Sequence, residues 1–176
     1  MKNIKCISLP LSAEVVRTLK IGDRVMLTGF MYTARDAAHK RMVEALEKGK
    51  ELPFDIKNQT IFYVGPSPAK PGQIIGSAGP TTSYRMDPYT DTLLGLGLKG
   101  MIGKGLRSQV VIDSIKKNTA VYFAAVGGAA ALIAKSIISK ELVAYEDLGA
   151  EAIYKLEVKD FPVIVVIDYL GNCLYD

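Results

Sequence analysis

The first part of the chain changes from a β-rich run to a run with helical spacing. Residues 23–33, DRVMLTGFMYT, predict a strand. In the run that follows, apolar residues recur at the spacing of one helix face: Ala34, Ala38, Met42, Ala45 and Leu46. Thr33 is a candidate N-cap, Asp36 would complete a capping box, and Gly49 is a candidate C-terminal stop. This pattern predicts a helix that carries Arg35 in its first turn.

The remaining apolar runs continue the alternation and place most strands near the end. β-branched, aromatic or small apolar runs predict strands at residues 60–66, 73–80, 99–105 and 120–126. Helical spacing predicts helices at residues 90–97, 107–118 and 128–138. Three β-rich runs follow, at residues 141–148, 153–161 and 162–172. The last of them is almost wholly apolar, which is typical of a strand in the middle of a sheet.

The order of these elements predicts the fold class. Strands and helices alternate through the middle and strands cluster at the end, so we expect an α/β domain in which helices are layered on a mixed sheet. At 176 residues the chain can bury a core but is too short for two ordinary domains. We therefore expect residues 1–176 to form a single domain.

Charge and hydropathy narrow the classes of partner. The 22 Lys and Arg residues are scattered and the net charge is +4. This distribution argues against a nucleic-acid surface and favours a local anion site. The most apolar stretch, residues 120–134, is shorter than the roughly 20 residues that a membrane-spanning helix needs. We expect neither a membrane segment nor a targeting segment.

Potential metal ligands are scarce. Cys6 and Cys173 are the only cysteines and His39 is the only histidine, so the sequence has no ligand spacing typical of a metal site. The low cysteine count predicts free thiols in a reducing, cytoplasmic compartment, with a disulfide between the two ends as the alternative. If a metal cluster takes part in the function, another chain must hold it.

The stretch AGPTTSYRMD, residues 78–87, combines several groups that bind anions. Its Thr-Thr-Ser run follows a Gly-Pro bend, where hydroxyls and backbone N–H groups can bind an oxyanion together. Arg85 adds a planar guanidinium that can hold a carboxylate through two hydrogen bonds. Alternatively, the hydroxyls satisfy the turn and Arg85 pairs with Asp87 or solvent. The residues alone leave both interpretations open.

Two other cationic residues occupy suggestive positions. Arg35 lies at a predicted helix N-terminus, where free N–H groups also attract an anion. Lys104 stands between Gly103 and Gly105, where the backbone can approach a ligand closely. In both cases a solvated surface side chain is the alternative.

Three further features have simpler explanations. Gly127-Gly128 could form a phosphate nest, but the surrounding sequence lacks GxGxxG and favours close packing of helix and strand. His39 is expected to be solvated or hydrogen-bonded rather than catalytic. The adjacent acids Glu146 and Asp147 diverge in direction and are explained by a turn or a helix start.

Several motifs, taken together in their order and spacing, resemble one family. They are TARDAAHKR, YVGPSPAKPGQIIGSAGPTTSYRMD, GMIGKG, AVYFAAVGGAAALIAKSI and VAYEDLGAEAIYKLEVKDFPVIVVID. The combination resembles the β subunit, or the equivalent C-terminal domain, of the class I iron-sulfur fumarate hydratases and the L(+)-tartrate dehydratases. The resemblance covers nearly the whole chain.

The resemblance implies a swivelling β/β/α domain that docks on a larger α subunit, with α2β2 as the expected assembly. In that family the partner carries a 4Fe-4S cluster on three cysteines, with one iron open to the substrate as a Lewis acid. The scarcity of metal ligands in this chain agrees with a cluster held elsewhere. Because the start of the chain resembles the start of the family domain, we expect the two-subunit form.

The resemblance also implies roles for four residues. Arg35, Arg85 and Lys104 match the cations that hold the carboxylates of a small dicarboxylate substrate. Thr81 matches the residue proposed as the base that removes the C3 proton. Because a threonine hydroxyl is a very weak base at neutral pH, this role requires a strongly cationic setting or a relay to an acid of the partner chain.

The leading hypothesis is a subunit of a hydro-lyase that reversibly hydrates fumarate to malate, a reaction of the tricarboxylic acid cycle. One alternative is the β subunit of an L(+)-tartrate dehydratase. Another is a non-catalytic module that binds a dicarboxylate for regulation.

Overall fold

The computed structural model describes residues 3–125 and 130–175 as a mixed α/β fold. Its strands are β1 Lys5–Ser8, β2 Arg24–Thr33, β3 Thr60–Phe62, β4 Gly100–Gly103, β5 Val121–Ala125, β6 Ile137–Ala144 and β7 Ile153–Ile167. Its α-helices are α1 Ala13–Arg17, α2 Asp36–Glu47, α3 Asp87–Gly95, α4 Gln109–Asn118 and α5 Ala130–Ser136. Two 3₁₀ helices lie at Ser83–Met86 and Glu146–Glu151.

Five of the strands close into a barrel. β2, β3, β4 and β5 are parallel neighbours in that order, and β7 pairs antiparallel with both β5 and β2. β1 extends the sheet beside β2, and β6 extends it beside β7. The expectation of a mixed α/β fold is confirmed. The sheet closes on itself because β7, at 15 residues, is long enough to bridge the two end strands.

The two faces of the strands belong to two hydrophobic clusters. Phe62, Ile102 and Phe123 lie in one cluster, whereas Ile61 and Tyr122, on the opposite face, lie in the other. The second cluster also contains buried residues of α2, α3 and α4. These three helices therefore cover one face of the strands. The loops that run from β2, β3 and β4 into the helices start at the same edge of the barrel, because these strands are parallel.

Several predicted boundaries differ from the structure. Thr33 is not an N-cap but the last residue of β2, where its hydroxyl lies 3.1 Å from Tyr154 N and accepts a hydrogen bond. α2 instead begins after Arg35, whose side chain makes no capping bond. Residues 73–80 form bends rather than a strand.

Other predictions are confirmed with small changes. α3 begins at Asp87, earlier than the predicted start at residue 90, and two predicted β-rich runs join into the single strand β7. The helical stop at Gly49 is confirmed, since this residue follows α2 with φ +74°. Gly127 and Gly128 lie outside the described residues.

Candidate functional site

The parallel strands bring two predicted site residues and the Gly65-Pro66 segment to the same edge of the barrel. Arg35 follows β2, the Gly65-Pro66 bend follows β3, and Lys104 follows β4. Because parallel strands end on the same side of a sheet, these segments meet at the carboxyl edge, where α/β folds commonly bind ligands. The 78–87 segment joins them through contacts with β3 and β4.

Arg35 stands at the N-terminus of α2 with its side chain across the Gly65 bend. A Cβ atom on Gly65 would lie 3.0 Å from Arg35 Cδ and 3.1 Å from Nη1, so glycine makes room for the guanidinium. Arg35 Nε is buried and has no hydrogen-bond partner among the described residues. The nearest carboxylate oxygens, from Asp36 and Glu151, are both 3.9 Å away. A buried donor without a partner is costly, so this geometry favours an anion at this position.

Arg85 lies on the 3₁₀ turn Ser83–Met86 and pairs with the first residue of α2. Its Nε is 2.8 Å from Asp36 Oδ2, and its side chain is 46% exposed. It does not pair with Asp87, whose carboxylate instead binds Arg107. The structure therefore links Arg85 to the helix start at which Arg35 stands.

Thr81 and Lys104 lie on neighbouring segments at this edge. Thr81 N donates to the Tyr63 carbonyl at 2.7 Å, and Ser83 N donates to the Lys104 carbonyl at 2.9 Å. Thr82 forms a parallel bridge with Lys104. Within residues 3–125 and 130–175, neither the Thr81 hydroxyl nor the Lys104 ammonium group has a hydrogen-bond or ion-pair partner, so both can contact a ligand.

The charges at this edge remain positive after internal pairing. Arg35, Arg85 and Lys104 supply three positive charges, and Asp36 and Glu151 supply two negative ones. Glu151 also accepts a long hydrogen bond, 3.5 Å, from Ala37 N in the first turn of α2. The edge can therefore bind a small anion, and an incoming carboxylate would compete with these two acids for the guanidinium groups.

A buried polar network that no local sequence pattern predicts supports the 78–87 segment. The Arg107 side chain is 0% exposed; its Nε donates to Asp87 Oδ1 at 2.7 Å, and its Nη2 lies 3.0 Å from Thr90 Oγ1 and 3.2 Å from the Tyr63 hydroxyl. Its guanidinium carbon also lies 4.8 Å from the ring centroid of Tyr122. From the sequence alone, Asp87 is a candidate partner of Arg85 only, and Arg107 is part of a predicted helix.

Tyr122 ties the same segment to β5. Its hydroxyl lies 2.7 Å from Ser83 Oγ and 2.9 Å from the Gly105 carbonyl oxygen. Because a carbonyl can only accept, the phenol donates to Gly105 and accepts from Ser83. Burial raises the pKa of Tyr122, so the phenol stays protonated at neutral pH. Gly103 permits this approach, since a Cβ there would collide with Ser83 Oγ.

His39 is buried behind Arg35 rather than solvated. Its Nδ1 lies 2.8 Å from the Arg35 carbonyl oxygen, and its Nε2 has no partner among the described residues. Burial lowers the pKa of His39 to about 4, so the imidazole is neutral at pH 7 and donates its Nδ1 proton to Arg35. The expected hydrogen bond is confirmed, and the side chain is buried as well.

The pair Glu146 and Asp147 is not a paired-carboxylate site. Both Asp147 oxygens bind Arg41, at 2.7 and 2.9 Å, and Glu146 is exposed. This bidentate contact joins α2 to the 3₁₀ helix before β7.

The described residues contain neither a cluster of metal ligands nor a helix that could span a membrane. In the part of the chain that the structure describes, no group of three His, Cys, Asp or Glu side chains could hold a metal ion. Cys6 and Cys173 are free thiols. None of the described helices has the length and apolar character needed to cross a membrane.

An apolar groove of about 750 Å³ adjoins the candidate site. Its walls include Tyr84, Leu106 and Val110, which are 63%, 64% and 64% exposed. Pro88 and Asp91 of α3 complete one side. Tyr84 precedes Arg85 in the chain, which places one wall of the groove beside the turn that carries Arg85.

Comparison with known proteins identifies the family. The family model described as the fumarase C-terminus matches residues 1–176. Over 154 residues the chain is 45% identical to the anaerobic class I fumarate hydratase of Escherichia coli strain K12, covering 86% of this chain and 28% of that protein. It is 41% identical over 157 residues to fumarate hydratase 2 of Leishmania major, covering 88% of this chain and 28% of that protein. The chain thus spans less than a third of the length of these relatives.

A shorter relative matches over most of both chains. A protein of Methanocaldococcus jannaschii, named as an L(+)-tartrate dehydratase subunit beta, is 38% identical over 172 residues, which is 94% of this chain and 88% of that protein. Together with the family match, these relatives show that the chain belongs to the fumarase C-terminal domain family, which is found in class I fumarate hydratases and in this tartrate dehydratase beta subunit.

Proposed function

We propose that this protein is the β subunit of an iron-sulfur hydro-lyase that reversibly hydrates fumarate to malate. The observation that carries the proposal is the placement of Arg35 and Arg85 around the start of α2, with the buried Arg35 Nε lacking a partner among the described residues. A positively charged edge with a hydrogen-bond donor that lacks a partner can bind a dicarboxylate. Membership of the fumarase C-terminal family narrows the reaction class to hydration.

In this proposal the chain performs substrate binding and proton transfer. Arg35, Arg85 and Lys104 hold the two substrate carboxylates, and Thr81 is the catalytic residue that removes the C3 proton of malate. For this step Thr81 must first lose its hydroxyl proton to a group of the partner chain, and the positive charge left on the edge lowers the cost of the resulting alkoxide. The alkoxide then takes the C3 proton and becomes a neutral hydroxyl again. Because the described residues contain no ligand set for a metal, the 4Fe-4S cluster belongs to the partner.

The partner in this proposal is a cluster-bearing α subunit, in an α2β2 assembly. The fumarate hydratase relatives are more than three times as long as their match to this chain, so they contain a region that this chain does not match. The name of the relative from Methanocaldococcus jannaschii indicates a separate beta subunit of similar length. We further propose that residues 1–176 form one swivelling domain that closes on the α subunit, and that the free thiols reflect a cytoplasmic location.

The proposal predicts activity only from the assembled subunits. The chain would be purified alone and with its cluster-bearing partner, and fumarate hydration would be followed anaerobically through the loss of fumarate absorbance. The isolated chain is expected to be inactive and the complex active. Hydration by the metal-free isolated chain would contradict a shared site.

L(+)-tartrate is the second candidate substrate, and one observation favours it. The relative named as a tartrate dehydratase beta subunit is matched over 88% of its length, whereas the fumarate hydratases are matched over 28%. Fumarate, malate and L(+)-tartrate would be compared on the same complex through kcat/KM. A ratio of at least tenfold in favour of L(+)-tartrate would assign the alternative function.

A further inference from the structure

We propose that Arg107 is a positioning residue whose buried guanidinium holds the turn that carries Arg85 against the barrel edge. The effect on turnover rests on the proposed function, whereas the structural part of the inference does not. No motif in the sequence assigns a role to Arg107, and Arg107 is not one of the four predicted site residues.

The Arg107 side chain connects three separate parts of the fold. Its Nε and Nη2 donate to Asp87 and Thr90 on α3, at 2.7 and 3.0 Å. Nη2 also lies 3.2 Å from the hydroxyl of Tyr63, which follows β3, and the guanidinium carbon is 4.8 Å from the ring centroid of Tyr122 on β5. A single planar group therefore joins α3 to two strand ends, which a lysine ammonium on a flexible stem cannot reproduce.

Asp87 transmits this contact to the predicted site. It directly follows the turn Ser83–Met86, and its second carboxylate oxygen accepts a 2.6 Å hydrogen bond from Ser108 N. Arg85 lies two residues earlier, and among residues 3–125 and 130–175 its side chain is held only by the partly exposed ion pair with Asp36. The position of the Arg85 backbone therefore depends on the buried contacts of its neighbours.

Arg107 acts through these neighbours rather than on a ligand. Its side chain is 0% exposed, and its donors are directed to Asp87, Thr90, Tyr63 and the Met101 sulfur. Without the planar guanidinium, the Asp87 carboxylate, which is only 10% exposed, would lose its 2.7 Å hydrogen bond from Arg107. Such a carboxylate moves toward water, and the attached turn moves with it.

The structural part is tested on the isolated chain by amide hydrogen exchange. Arg107→Lys keeps the charge but loses the planar fork, and Val16→Ala removes buried volume in the other hydrophobic cluster as a control for general destabilisation. We expect exchange in residues 81–87 to rise at least tenfold in Arg107→Lys and less than threefold in Val16→Ala. If Arg107→Lys does not fold, Tyr122→Phe, which removes the contacts to Ser83 and Gly105, should give a smaller rise in the same residues. No local rise in either variant would overturn the inference.

The functional part is tested in the complex with the cluster-bearing partner, at a temperature where all variants are folded. Arg107→Lys should raise KM for the dicarboxylate about tenfold with a smaller change in kcat, because Arg85 binds the ground state. Val16→Ala should leave KM within twofold. Faster local exchange with an unchanged KM would overturn the positioning role. If the wild-type complex neither hydrates fumarate nor dehydrates L(+)-tartrate, the proposed function fails. Hydrogen exchange on the isolated chain still decides whether Arg107 holds the turn.

Discussion

His39 gives the protein a pH-dependent stability that can be worked out from its burial. Its pKa is about 4 in the folded chain against an ordinary value of 6.5, mainly because burial disfavours the charged imidazole. Between these values the unfolded chain binds a proton that the folded chain does not. The free energy of unfolding therefore falls as the pH drops from 6.5 to 4, by up to about 3 kcal/mol from this residue.

His39→Gln should remove this contribution. Urea unfolding would be measured for both proteins at pH 7.5 and pH 4.5. Because carboxylates contribute equally to both, the wild-type protein should lose about 2 to 3 kcal/mol more than the variant over this range. Equal losses would show that the imidazole is not buried as a neutral group.

The substitution Gly65→Ala tests the position of the Arg35 guanidinium, because it adds a single methyl group beside that side chain. The added Cβ of Gly65→Ala would lie 3.0 Å from Arg35 Cδ and push the side chain aside. We expect KM for the dicarboxylate to rise about fivefold, a binding loss of roughly 1 kcal/mol, with little change in melting temperature. Gly95→Ala is the matched control, because a Cβ there meets nothing within 4 Å. Similar KM values in the two variants would argue against a role for Arg35 in binding.

At the scale of elements, α4 depends on its cap. Ser108 Oγ accepts a hydrogen bond from Val111 N at the start of the helix. Ser108→Ala should lower the free energy of unfolding by about 1 kcal/mol. Ser77→Ala is the control, since its exposed hydroxyl has no hydrogen-bond partner among the described residues. A loss of the same size at Ser77 would show that the cap contributes nothing specific.

At the scale of elements, the sequence predicts most helices and strands because their apolar residues recur at the spacing of a helix or a strand. It does not predict where some of these elements begin and end. The spacing of Ala38 and Met42 predicts α2 independently of the rest of the fold. Thr33 has the right type for an N-cap, yet β2 continues to it because its hydroxyl accepts from the distant Tyr154 N. Residues 73–80 have the composition of a strand but bend back, with Ser67 and Ser77 paired through their backbones.

At the scale of the whole molecule, the contacts between residues that are far apart in the sequence are the features that the sequence does not predict. Periodicity identifies β7 as a buried strand but does not reveal that β7 pairs with both β2 and β5 and closes the barrel. Likewise, Arg107 and Asp87 are 20 residues apart, and no local pattern joins them. Arg35, Arg85, Lys104 and the hydroxyl run that begins at Thr81 are anion-binding candidates from the sequence alone, and the family resemblance supplies their roles. Their roles stay predictions, although their segments meet at the same edge.

Thr81 is the residue on which the proposed function of the assembled molecule depends most. Its hydroxyl has no partner among the described residues, and its backbone is fixed by the 2.7 Å bond to Tyr63. Thr81→Ala should therefore leave folding and binding to the α subunit intact. If Thr81 removes the C3 proton, kcat of the complex should fall by about 10² to 10⁴ while KM changes less. Thr92→Ala, on the exposed face of α3, should leave both constants unchanged. A Thr81→Ala complex that keeps its kcat would assign proton removal to the partner and leave this chain only the carboxylate-binding role.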